Sequence, residues 1–204
     1  MTIRENVNMT ILSKIFQNSL GDYRKCLSTL SSEKELLDVI SILLKTRDQE
    51  KKIFSIGNGG SASTASHFTS DLLKTCILKN TKRFQAICLS DNIPVLTAWA
   101  NDTSYEKIYS EQLENFISIN DVVIAFSGSG TSKNIVTALK LAKSKKAFVI
   151  GFTGKSGGDF PSICDITVKI DSKDMLMIES MHVLLCHIIV NCIRNTGTPE
   201  FTYE

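Results

Sequence analysis

The sequence predicts an α/β fold: a parallel β-sheet covered by helices on both faces. Three observations carry that prediction. From residue 51 onward, apolar runs of strand length alternate with stretches of helical period. The run DVVIAF at 121–126 is apolar at five consecutive positions, as a strand buried on both faces requires. Two of the strand-like runs pass through Gly/Ser-rich turns directly into helical sequence, the connection that parallel strands use.

At the amino end, Ile3, Val7, Ile11 and Ile15 recur at every fourth position with Leu12 and Phe16 beside them, which makes one apolar stripe on a helix. A second helix fits Glu33–Thr46, with Ser31 or Ser32 as N-cap. Together they form a helical extension over residues 1–50, ahead of an α/β core over 51–194 in a chain read as one domain, 1–204. The first strand, Lys51–Ile56, stops at Gly57-Asn58-Gly59-Gly60. Ser61–Cys76 then returns to helical spacing, with Ala62, Ala65, Phe68 and Leu72 as its apolar positions. Arg83–Leu89 reads as a strand, and Ile93–Ala100 and Tyr105–Ile117 as helices. Asp121–Phe126 is the next strand. It ends in Ser127-Gly128-Ser129-Gly130 before a helix over Ile135–Ser144. Ala147–Phe152 repeats the strand signal, Gly154–Gly158 is a loop, and Asp165–Ile170 is the last strand before a terminal helix over Met175–Ile193.

Composition narrows the function. Lys and Arg number 23 against 21 Asp and Glu, a formal charge of +2, so no strong field favours nucleic acid or a membrane surface as partner. The terminal helix is apolar enough to raise a membrane question, but Glu179, His182, His187 and Asn191 interrupt it, and ionisable groups at bilayer depth are costly. It reads as a buried helix partly covered by neighbouring subunits of a homo-oligomer. The amino terminus lacks the continuous apolar core of a secretory signal, so a cytoplasmic chain is expected. The six cysteines contain no CxxC pair and read as free thiols in a reducing compartment.

Ligands of an open parallel sheet sit beyond the carboxyl ends of its strands, where both glycine-rich turns fall. Asn58-Gly59-Gly60-Ser61 lets backbone approach a ligand closely. Ser127–Ser132 (SGSGTS) sets hydroxyls before a helix whose free N–H groups and positive end favour an anion. Neither turn carries the Gly-Lys-Ser/Thr of a nucleotide-binding loop. His67 and Asp71, four apart, share one helix face about 6 Å apart. The terminal helix adds Glu179, His182 and His187, of which His182 reads as structural. Imidazoles with carboxylates suit either a divalent metal such as zinc or general acid–base work.

The order of these motifs is similar to that of a known family. Gly57-Asn58-Gly59-Gly60-Ser61, His67-Phe68, Leu96-Thr97-Ala98 with Asn101-Asp102, Ser127–Ser132, Phe152-Thr153-Gly154 with Gly157-Gly158, and Ile178-Glu179 through His187 resemble the phosphoheptose isomerases, sugar-isomerase (SIS) domain proteins, over nearly the whole chain. The resemblance implies a homotetramer that interconverts sedoheptulose 7-phosphate and D-glycero-D-manno-heptose 7-phosphate, often with zinc. It places phosphate binding on Ser127, Gly128, Ser129 and Ser132. Sugar contacts fall on Asn58, Gly59, Gly60, Ser61, Asn101 and Asp102, with Glu179 also at the substrate. Metal ligation falls on His67, Asp71, Glu179 and His187, with Asp71 and His187 as acid and base. The alternatives are a non-catalytic SIS protein that brings other chains together, and an isomerase of a different sugar phosphate. The chain departs from the family pattern at Asp71, where Glu is usual, at Glu179, where Gln is usual, and in SGSGTS for STSGNS.

Overall fold

The computed structural model describes residues 8–30 and 32–202. The first helix, α1 (Met9–Ser28), is a unit by itself. Asn8 starts it by accepting the N–H groups of Thr10 and Ile11 at 3.0 and 3.3 Å, which satisfies two donors the helix cannot pair internally. Its stripe exposes Ile11, Leu12, Ile15 and Phe16. Ile3 and Val7, the predicted start of that stripe, lie outside the described residues.

The second unit begins at Ser32 and contains α2 (Glu33–Asp48), β1 (Lys52–Gly57), α3 (Gly60–Ser70), β2 (Gln85–Cys88), α4 (Ile93–Asp102) and α5 (Ser110–Phe116). It continues through β3 (Val122–Ser127), α6 (Lys133–Ser144), β4 (Phe148–Thr153), the short α7 (Phe160–Ile163), β5 (Ile166–Lys169) and α8 (Met175–Arg194). All five strands are parallel, in the order β2-β1-β3-β4-β5. Strand alternation gives the sheet two buried faces. On one, Phe54, Ile56, Val123, Ala125 and Val149 pack with Leu113, Ile135 and Leu139 of the helices. On the other, Phe126 stacks on Phe152 at 5.0 Å and meets the edge of Phe68 from α3 at 6.2 Å and the His182 ring from α8 at 6.0 Å. Removing the fully buried Phe126 ring would cost about 3–5 kcal/mol.

Asp121 fixes where the central strands start. It is buried, and its two oxygens accept from the N–H groups of Lys52 at 2.9 Å and Ser118 at 2.8 Å. That bond holds β1 beside β3 in the register Gly57↔Phe126 and brings their carboxyl ends level.

Four elements differ from the sequence reading. The helix expected over 61–76 stops being α-helical at Ser70 and continues as a π-turn over Asp71–Thr75, closed by Cys76 N–H bonding to Asp71 C=O at 2.9 Å. The helix expected over 105–117 breaks into a 3₁₀ turn, Tyr105–Lys107, and α5, because Tyr105 and Tyr109 are drawn toward Asn58 and Gly57. Helix α7 is too short for a periodicity reading. Ser32 is the N-cap of α2 by position, but its hydroxyl donates across to Lys169 C=O at 3.3 Å instead of to the helix.

Candidate active site

Strand order reverses between β1 and β3: the chain leaves β1 toward β2 on one side and β3 toward β4 and β5 on the other. The crevice beyond this reversal receives both glycine-rich turns. Gly59, at φ +56°, turns the chain from β1 into α3, and Gly130, at φ +67°, turns it from β3 toward α6.

The serine turn forms a small cup. Ser127 Oγ lies 3.5 Å from Ser129 Oγ and 3.4 Å from Ser132 Oγ, and it accepts the Gly130 N–H at 3.2 Å. Ser132 is the N-cap of α6, yet its hydroxyl makes no cap bond and turns into the cup. The 210 Å³ cavity here is lined by these serines with Gly128, Asn58, Ser61 and Glu179. Lys133 lies outside it, at 3.0 Å from Glu106. Hydroxyls and helix N–H groups are thus the donors available to an anion, with no ammonium among the described lining residues.

The metal-type residues gather about two turns farther along α3 and α8. His67 Nε2 and His187 Nε2 are 2.7 Å apart, and Asp71 Oδ2 lies 3.5 Å from the first and 3.8 Å from the second. Asp71 Oδ1 accepts the Thr75 hydroxyl at 2.8 Å, which fixes the carboxylate's rotation. All three donor atoms fall within 4.8 Å of one another, two imidazole nitrogens and one carboxylate oxygen, the donor types that zinc accepts. Glu179 is not part of this group. Its carboxylate lies against Gly60, where it lines both the serine cavity and a 440 Å³ cavity shared with His67. His182 is fully buried between Phe126 and Phe152. Burial, only partly offset by the backbone of Thr153, lowers its pKa to about 4, so its ring is neutral and structural.

Comparisons with known proteins show the family and the fold. The SIS domain family model matches residues 20–154. A phosphoheptose isomerase of Helicobacter pylori is 37% identical over 162 residues, covering 79% of this chain and 84% of that one. The chain belongs to the phosphoheptose isomerase family of SIS-domain proteins. The phosphoheptose isomerase structure from Neisseria gonorrhoeae superposes with a TM-score of 0.81 at 25% identity, over 92% of this chain and 98% of that one. The Francisella tularensis phosphoheptose isomerase, at 24% identity, has the same fold with a TM-score of 0.82, covering 93% and 99% of the two chains. This family is one of aldose–ketose isomerases, and members take small sugar phosphates.

Within this phosphoheptose isomerase-family site, Asn101 and Asp102 stand apart from the crevice's described lining. They are exposed at the end of α4, and Asn101 Nδ2 donates to Asp102 Oδ1 at 2.8 Å. Three residues that sequence reasoning missed build the loop from behind. Asn134 exchanges two amide hydrogen bonds with Asn58, each 2.9 Å, and Tyr105 donates to Asn58 Oδ1 at 3.1 Å. The Tyr109 hydroxyl donates to the Gly57 carbonyl, and burial raises its pKa to about 12, so it stays a donor. Tyrosine and asparagine inside helical stretches gave no signal, because their partners lie at least 47 positions away.

Proposed function

We propose that this chain interconverts sedoheptulose 7-phosphate and D-glycero-D-manno-heptose 7-phosphate through an enediol. The observation that carries the proposal is the placement of the serine cup and the His67–Asp71–His187 cluster at one crevice, with Glu179 lining the cavities of both. A phosphate in the cup anchors one end of the sugar and holds the reacting carbons near the cluster. Gly59, Gly60 and Ser61 offer backbone and hydroxyl contacts to the sugar. Asn101 and Asp102, a short span from Tyr105 and its bond to Asn58, offer side chains to its hydroxyls.

His67, Asp71 and His187 fit a divalent ion, zinc by donor type, and would hold it. Such an ion supplies Lewis-acid polarisation of the substrate's oxygens. Without an ion, His187 and Asp71, whose Nε2 and Oδ2 lie 3.8 Å apart, are the acid–base groups that face the same oxygens. Either way, positive charge is presented where negative charge develops. A non-catalytic role gives no reason to assemble these three donors beside an anion cup.

The exposed Ile11, Leu12, Ile15 and Phe16 of α1, with Leu176 and Ile188 of α8, support a homotetramer in which these faces are covered. Helix α8 has the length and apolarity of a membrane span, yet half of its most apolar stretch is buried in the protein, which supports a helix packed on the protein's own core over one that crosses a bilayer. The purified protein should convert sedoheptulose 7-phosphate, with zinc raising the rate and a chelator lowering it. Inertness toward every C5–C7 sugar phosphate, with and without zinc, would overturn the proposal.

A further inference from the structure

Glu179 occupies a position that Asp71 does not. Its carboxylate lies over the first turn of α3, so close that a Cβ built on Gly60 would sit 2.3 and 2.7 Å from its two oxygens. It lines the serine cavity with Ser127, Ser129 and Ser132, and it lines the adjoining cavity with His67. No other described residue lines both. A sugar anchored by its phosphate at the serines must pass Glu179 before its far end meets His67.

Asp71 is already committed. One oxygen takes the Thr75 hydroxyl, and the other faces both histidines. Glu179 has no hydrogen bond or ion pair to its carboxylate among the described residues, so its lone pairs are open to the crevice. Proton abstraction from carbon needs an unengaged base within reach of that carbon, whereas the oxygens need a source of positive charge.

We infer that Glu179 is the catalytic base that moves the hydrogen between the two reacting carbons, while the His67–Asp71–His187 cluster serves the oxygens; this rests on the isomerase reading. A Glu179 oxygen takes the proton from the hydroxyl-bearing carbon next to the carbonyl. The C–H electron pair becomes the C=C bond of the enediol, and the carbonyl π pair moves onto its oxygen, which takes up a proton from the cluster. In the return half, the proton on Glu179 goes to the former carbonyl carbon, and the C=C pair forms that C–H bond. The other hydroxyl gives its proton back to the cluster and closes to C=O. One carbon is oxidised and its neighbour reduced, with no outside reagent.

The test compares E179Q, E179D and D71N with the unmodified protein. The readouts are turnover of sedoheptulose 7-phosphate, deuterium uptake from D₂O into the substrate's carbon-bound positions, and calorimetric titration with zinc. E179Q should bind zinc within about threefold of the unmodified protein but lose about 10²–10⁴-fold in both turnover and deuterium uptake. E179D should recover part of both, which keeps the test decisive if E179Q melts early. D71N should lose zinc affinity. Turnover of E179Q within tenfold of the unmodified protein would overturn the inference. So would a loss of zinc affinity in E179Q that parallels its loss of turnover, because Glu179 would then be a metal ligand. If the unmodified protein neither turns over the sugar nor takes up deuterium, the isomerase reading itself has failed.

Discussion

Asn58 and Asn134, 76 positions apart, hold each other through two 2.9 Å amide hydrogen bonds. One residue belongs to the loop after β1 and the other to the first turn of α6, so the pair ties the two halves of the crevice together. Asn134 is buried and also accepts the Ile135 N–H at 3.0 Å. Asn134→Leu leaves the Asn58 amide without its partner and should cost about 1–3 kcal/mol in urea unfolding. It should weaken phosphate binding as well, because the loop and the cup lose their common reference. Unchanged stability and unchanged binding would show that the tie is dispensable.

The serine cup makes a separable prediction. Ser129→Ala and Ser132→Ala each remove one donor to a charged acceptor and should each weaken phosphate binding by about 1–3 kcal/mol while leaving thermal unfolding in place. Calorimetry with a sugar phosphate reads the change. Full affinity in both variants would move the anion site elsewhere.

Thr75 acts on the cluster from behind. Its hydroxyl donates to Asp71 Oδ1 at 2.8 Å and sets which way the other oxygen faces. Thr75→Val should reduce zinc affinity by about 10–100-fold, as loss of a partner behind a metal ligand does. A competition titration against a zinc-responsive dye provides the measurement.

His182 makes acid stability legible. Its folded pKa, lowered to about 4 from 6.5, means that below pH 6.5 the unfolded chain takes up a proton that the folded chain refuses. Its contribution to stability is therefore full above pH 6.5, falls as pH drops through that window, and levels off below about pH 4. The loss is on the order of 3 kcal/mol. Chemical denaturation of His182→Leu should show that much less decline between pH 7 and 4; an identical decline would assign the acid sensitivity to other groups.

The apolar stripe of α1 predicts assembly. Light scattering should give a tetramer, and Ile15→Glu with Phe16→Glu should dissociate it, since both side chains are exposed in the single chain. A monomeric unmodified protein at micromolar concentration would leave that stripe without a role.

Much of this architecture was legible because it is written in local signals. The run 121–126 showed strand β3 through unbroken apolarity, and the paired turns at 57–61 and 127–132 showed where chain reversals meet helices. The His67–Asp71 pairing followed from helical spacing alone. What stayed hidden depends on partners far along the chain. The π-turn at Asp71–Thr75 has no compositional mark, the break after Tyr105 answers to Asn58, and the displacement of Glu179 from the His–Asp cluster follows from how α8 rests on α3. Eight residues of helix separate Glu179 from His187 by about 12 Å along the axis, and that spacing alone leaves open which of them meets Asp71.

Every chemical group proposed at the carbon or the oxygens is delivered by α3, by the π-turn that continues it, or by α8. The hydrogen bonds among the cup's serines and those of the Asn58–Asn134 tie are made without α8, although Met175 and Glu179 of that helix complete the cavity wall. His187 and Glu179 arrive only when that helix docks. With α8 undocked the chain would keep the cup's serine hydroxyls but lack two of the groups that act on the sugar, so reactivity depends on the seating of one helix.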